Sequence, residues 1–225
     1  MPRHDRLTVW NSMLDTGLVP LFYQGDVDVC RSLLQACADG GARVVEFTNR
    51  GDRAWLVFSE LAEWADAHTP EVALGVGSII EPATAALYIS SGARFVVGPT
   101  LNAAIADTCN RRKVPYLPGC GTVTEISNAE ALGCEVVKIF PAGELGGPGF
   151  IKSILGPMPW VRLLPTGGVD ATEESVEKWM LAGAACLGMG SKLIRRDLVT
   201  SGRYGAIADL VRRVLGWITS ARPSR

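Results

Sequence analysis

Two charged side chains stand where charges are costly. Lys138 interrupts Val136-Val137-Lys138-Ile139-Phe140, and Glu46 interrupts Val44-Val45-Glu46-Phe47; both runs are otherwise apolar. Burial disfavours the ammonium form of a lysine and raises the pKa of a carboxyl group. Bringing a lysine from ~10.4 to about 7 corresponds to about 4.6 kcal/mol of differential solvation. A chain tolerates that where a neutral amine is useful, as a nucleophile toward a ketone. A glutamate with a raised pKa suits proton shuttling. Position alone leaves blander readings open: a lysine snorkelling from a strand end, or the two charges simply paired. Arg50 follows Glu46 by four residues, where the strand should yield to a loop. There it either grips a carboxylate through two parallel bonds or is merely solvated.

Glycines supply the next signal. Thr166-Gly167-Gly168 and Gly188-Met189-Gly190-Ser191 each stand at the end of an apolar run. Such glycines let backbone N–H groups close on an anion, although paired glycines also make ordinary turns. The groups that are missing narrow the chemistry further. Only His4 and His68 occur, one near the start of the chain and one ending a helical stretch. Neither a histidine-based metal site nor a histidine triad is then expected. A lysine, a glutamate and anion grips fit Schiff-base chemistry on a small anionic keto acid.

Composition sets the outer bounds. Lys plus Arg is 22 against 23 for Asp plus Glu, a net charge of −1. That balance lacks the basic excess of a nucleic-acid surface. The six cysteines are scattered with no CxxC pair, which reads as reduced core thiols of a cytoplasmic protein rather than a disulfide framework. No apolar run approaches the ~18 residues of a membrane span, so no membrane partner is expected.

The elements that must position these residues alternate from end to end. Apolar runs predict strands at Val19–Tyr23, Val44–Phe47, Val72–Val76, Phe95–Val97, Tyr116–Leu117, Val136–Phe140, Val161–Leu164 and Cys186–Met189. Between them lie helical stretches at Val27–Asp39, Ala54–His68, Ala83–Ser91, Asn102–Arg112, Val123–Leu132, Phe150–Leu155 and Glu173–Ala182, with a last one at Tyr204–Ile218. Residues 1–17 carry an extra N-terminal helix, over Asp5–Asp15, and residues 221–225 read as a frayed tail. Gly40-Gly41, Gly92, Gly133 and Gly183 each stop a helix just before a strand, a weak internal repeat. Eight such units without a linker predict one domain over residues 1–225, a single (β/α)8 TIM barrel. The alternative, an open doubly wound sheet, lacks its Gly-rich fingerprint: Gln24-Gly25-Asp26 follows the first strand instead. In a barrel the chemistry sits at the C-terminal strand ends, where Glu46 to Arg50, Lys138 to Pro141 and both glycine clusters fall.

With these motifs in order, the sequence resembles the 2-keto-3-deoxy-6-phosphogluconate (KDPG) and 4-hydroxy-2-oxoglutarate (KHG) aldolases. The resemblance runs from about Leu18 to Leu193. It is carried by Glu46-Phe47-Thr48-Asn49-Arg50, Gly75-Val76-Gly77-Ser78, Leu117-Pro118-Gly119, Val137-Lys138-Ile139-Phe140-Pro141-Ala142, Pro165-Thr166-Gly167-Gly168 and Gly190-Ser191. It implies a class I aldolase with Lys138 as Schiff-base lysine and Glu46 as general acid/base. It further implies that Arg50, Ser78 and Thr166 hold the keto-acid carboxylate and that Phe140 and Pro99 wall the pyruvate pocket. Gly167, Gly168, Gly190 and Ser191 would form the phosphate end. A homotrimer that needs no metal or other cofactor is implied as well. The same lysine and glutamate would serve an aldolase for an epimeric sugar acid such as the phosphogalactonate, and a non-catalytic barrel binding an anionic metabolite stays open. The chain departs from the family pattern at Ser78, at Cys120-Gly121, at Met189, expected to hinder approach to phosphate, and at Lys192, which adds a charge.

Overall fold

The computed structural model describes residues 4–222. An N-terminal helix α1 (Arg6–Thr16) precedes β1 (Leu18–Phe22), α2 (Val27–Asp39), β2 (Val44–Thr48), α3 (Ala54–His68), β3 (Ala73–Gly77) and α4 (Pro82–Ser90). The chain continues as β4 (Val96–Val97), α5 (Ala103–Arg112), β5 (Tyr116–Leu117), β6 (Gly119–Cys120), α6 (Val123–Ala131) and β7 (Val137–Ile139). It ends with α7 (Pro148–Leu155), β8 (Leu163–Pro165), α8 (Glu173–Leu181), β9 (Leu187–Met189), α9 (Arg196–Thr200) and α10 (Tyr204–Ala221).

All strand pairs are parallel, in the order β5-β4-β3-β2-β1-β9 and β6-β7-β8. Two features join these segments into one ring. Pro118 separates β5 from β6, so a single strand pairs with β4 through its first half and with β7 through its second. Proline has no N–H for a ladder bond, but its carbonyl still accepts from Lys138 N at 3.0 Å. On the other side Thr166 bridges Gly188, and Ala185 N donates to Leu163 O at 2.9 Å. The nine segments are therefore the eight strands of a TIM barrel. The glycine stops behave as the repeat suggested, with Gly41 and Gly183 both at φ 100°, a left-handed backbone that favours glycine.

Strand alternation splits the apolar residues into two cores. Outward residues such as Val45, Phe47, Val76 and Ile139 pack under the helices, and the inward set fills the barrel. Val9, Trp10 and Met13 of α1 join the inward set, against Val19, Val44, Phe95 and Val136. The N-terminal helix thus plugs the N-terminal end of the barrel, and only the C-terminal end stays open to a ligand. Both histidines lie at the plugged end: His4 contacts Pro70 O at 2.9 Å, and His68 stacks on Trp64 at the end of α3.

Three expectations need correction. Ala221 and Arg222 are not frayed: Ala221 ends α10, and Arg222 donates to Leu14 O at 2.6 Å, tying the last helix to the first. Residues 223–225 of the expected tail lie outside the described residues. The short helix α9 was not foreseen, because five residues are too few for a helical period to show. Strand boundaries shift by one or two residues, as at β8, which starts at Leu163 rather than Val161. All six cysteines are buried and unpaired in the core. Burial pushes the thiols of Cys37 and Cys186 up to about 12, which makes them inert hydrophobes. Among the described residues no helix is long and apolar enough to cross a membrane.

Candidate active site

Glu46 is the middle residue of β2, in register with Leu21 on one side and Gly75 on the other. Lys138 is the middle residue of β7, between Gly119 and Leu164. Their neighbours Val45, Phe47, Val137 and Ile139 belong to the outer core, so alternation turns both charges inward. They converge inside the barrel, 3% and 6% exposed respectively. Burial raises the Glu46 pKa above its ordinary 4.5, and the charges of Lys138 and Arg50 pull the other way. The Lys138 amine lies 5.0 Å from the centre of the Phe140 ring, at a distance where the ring face attracts a cation.

Room for the carboxylate is made by a glycine. A Cβ on Gly77 would lie 1.7 Å from Glu46 Oε1 and 2.4 Å from its Cδ. The glutamate side chain therefore rests on the bare backbone of β3. Gly188 serves Thr166 in the same way, with a Cβ position only 2.2 Å from the threonine Oγ1. That hydroxyl is buried and has no hydrogen-bond partner among the described residues. An unpaired buried hydroxyl costs about 1–3 kcal/mol.

Above these residues opens a cleft of about 430 Å³. Arg50, Phe140, Thr166, Gly167, Gly168, Gly190 and Ser191, all expected at the site, line it together. Glu46 and Lys138 lie beneath, each two residues before a lining residue on the same strand face, Thr48 and Phe140. Backbone bonds from Ala142 N to Thr166 O and from Gly143 N to Gly167 O hold the loops after β7 and β8 together. The N–H group of Gly168 has no backbone acceptor among the described residues. Arg50 is set by its neighbour: Asn49 N donates to Gly77 O, and Asn49 Oδ1 accepts from the Tyr88 hydroxyl, each at 2.9 Å.

Ser78 and Pro99 do not line this cleft. They stand on the β3–β4 side of the rim, Ser78 half-buried with φ 63° and Pro99 half-buried with its carbonyl against Gly119. Met189 corrects another expectation. It is fully buried in the outer core, so it cannot obstruct an anion; the inward residues here are Gly188 and Gly190. Lys192 does line the cleft, although Asp170 engages it at 3.1 Å. Several lining residues were missed from sequence, Tyr23, Gln24, Thr48 and Arg196 among the polar ones. Thr48 is buried above Glu46 and donates to Phe22 O at 3.2 Å; its place two residues after Glu46 was a usable signal. Arg196 lies beyond the last barrel strand, in a run of basic residues whose direction only the fold decides. A cavity of about 370 Å³ between α2, α3 and α10 contains none of the candidate residues. Among the described residues no group of three His, Cys, Asp or Glu side chains could hold a metal ion.

The structure is thus a plugged barrel with a lysine and a glutamate buried under a cationic mouth, the arrangement that the resemblance to the aldolases implies. The comparisons with known proteins agree. The family model "KDPG and KHG aldolase" matches residues 9–210, and the chain belongs to that family. The KHG/KDPG aldolase of Escherichia coli K12 is 30% identical over 205 residues, covering 91% of this chain and 93% of that protein. The 2-dehydro-3-deoxy-phosphogluconate aldolase of Pseudoalteromonas atlantica is 30% identical over 198 residues, covering 88% and 89%. The crystal structure of the KDPG aldolase of Legionella pneumophila, with pyruvate captured as a covalent carbinolamine, superposes with a TM-score of 0.82. It is 25% identical and covers 93% of this chain and 97% of its own. The protein is accordingly an aldolase, a carbon–carbon lyase.

Proposed function

We propose that the protein cleaves a 2-keto-4-hydroxy acid to pyruvate and an aldehyde through a Schiff base on Lys138. The substrate is 2-keto-3-deoxy-6-phosphogluconate, 4-hydroxy-2-oxoglutarate, or both. The Lys138 amine attacks the C2 ketone, and loss of water from the carbinolamine leaves an iminium. The C4 hydroxyl then loses its proton to Glu46, directly or through water. The C3–C4 bond breaks, its electron pair flows into the iminium, and glyceraldehyde 3-phosphate or glyoxylate departs. Glu46 returns the proton to C3 of the enamine, and water hydrolyses the iminium to free pyruvate. A positioned acid/base contributes about 10²–10⁴-fold to such a reaction. Arg50 and the unpaired Thr166 hydroxyl hold the carboxylate, and Phe140 walls the methyl end. Ser78 and Pro99 shape the far rim rather than the cleft. No metal or organic cofactor takes part in this reading.

The observation that carries the reading is that Lys138 and Glu46, 92 residues apart in sequence, are both buried inside the barrel, with the Lys138 charge acting on the Glu46 carboxyl. The carbinolamine trapped in the Legionella relative supports the covalent step. Incubation with pyruvate and borohydride, followed by peptide mapping, tests it: the label should fall on Lys138, and Lys138→Met should remain folded but take up none. A label elsewhere defeats the mechanism. The six free thiols support a cytoplasmic location.

A further inference from the structure

The charge of the cleft is lopsided. Its lining contains three cations, Arg50, Lys192 and Arg196, and no aspartate or glutamate, in a chain of net charge −1. The three are not equivalent. Arg50 acts electrostatically on Glu46, so it belongs to the reacting end. Lys192 and Arg196 follow β9, and neither is among the charges that act on Glu46. Lys192 already has a partner in Asp170, which is not part of the lining. Adjacent Arg195 turns away: it makes two bonds to Asp197, at 2.8 and 3.1 Å, and lines a neighbouring cavity instead. Arg196 faces the cleft, and its guanidinium has no ion-pair or hydrogen-bond partner among the described residues. A guanidinium fork matches a phosphate oxygen pair better than a lysine does. Gly168, whose N–H has no backbone acceptor among the described residues, lines the same cleft.

We infer that Arg196 is a specificity-determining residue that grips a phosphate dianion on the leaving-aldehyde end of the substrate, with Lys192 as its weaker companion. This rests on the aldolase reading and deepens it. The selectivity is for a phosphate monoester over an uncharged hydroxyl at that end, and it resides in a side chain on the loop after the last barrel strand rather than in the glycine backbone alone. Arg50 holds the first negative charge and Arg196 the second, so a substrate with anions at both ends satisfies the excess charge of the cleft.

The test compares 2-keto-3-deoxy-6-phosphogluconate with its unphosphorylated counterpart in wild type, Arg196→Met and Arg196→Lys. The ratio of the two kcat/KM values should fall by about tenfold or more in Arg196→Met, the scale of one lost charge-assisted hydrogen bond. The loss should appear in KM for the phosphorylated substrate, and Arg196→Lys should recover part of it. Binding of inorganic phosphate, measured by calorimetry on the same proteins, should weaken in parallel. An unchanged ratio together with unchanged phosphate affinity overturns the assignment. The calorimetry is independent of turnover, so a missing borohydride adduct would sink the aldolase mechanism without deciding the role of Arg196.

Discussion

Replacing Gly77 by alanine displaces the Glu46 carboxylate while leaving every proposed catalytic group in the sequence. The backbone at Gly77 is ordinary strand, so alanine itself fits. Its methyl group does not. It would stand 1.7 Å from Glu46 Oε1, where ordinary contact begins near 3.4 Å, so the carboxylate must retreat by about 1.7 Å. A misplacement of about 1 Å can cost roughly 10²-fold in rate, and full loss of a general acid/base costs about 10²–10⁴-fold. Overpacking adds about 1–3 kcal/mol of destabilisation, so a control is needed that overpacks without touching Glu46. Gly75→Ala provides it: the added methyl would stand 2.4 Å from the Phe95 ring, lower in the same barrel. Both variants should lose stability in thermal or urea unfolding. Only Gly77→Ala should lose about 10² or more in kcat, read by coupling pyruvate release to lactate dehydrogenase. Turnover of Gly77→Ala within about threefold of Gly75→Ala would show that the position of Glu46 does not govern the reaction, and the acid/base assignment would fall.

Two further outcomes follow from single buried groups. Because burial raises the Glu46 pKa above 4.5, the folded state holds this proton more tightly than the unfolded chain does. The favourable contribution is complete below the unfolded value and is lost as pH rises through the folded one. Glu46→Gln removes that titration, so its stability relative to wild type should increase upward from about pH 4.5 in urea unfolding; a difference independent of pH would contradict the burial argument. Thr166→Val removes a hydroxyl that has no partner among the described residues. The variant should unfold no more easily than wild type, yet KM for the keto acid should rise by roughly tenfold for want of one bond to its carboxylate. A clear loss of stability with KM unchanged would mean that the hydroxyl is structural.

What could be read from sequence was whatever a short stretch of chain expresses by itself. Alternating apolar runs and glycine stops disclosed the barrel, because helical and strand periods are local. Lys138 and Glu46 were legible because a charge within an apolar strand violates a pattern only a few residues long. Which way a side chain faces was another matter. Met189 was expected at the anion end, yet ring closure turns it into the outer core and presents Gly188 and Gly190 instead. Arg195 and Arg196 are chemically identical neighbours, and only the turn into α9 sends one to Asp197 and the other to the cleft. The tie from Arg222 to Leu14 and the seat of Glu46 on Gly77 likewise join segments far apart in sequence. Sequence alone determined most of the elements that form and singled out the candidate residues for chemistry, since propensity and hydrophobic period act over a few residues. The tertiary structure decided which of those residues meet, since closing the barrel sets strand register and facing, and contacts across it have no local signature.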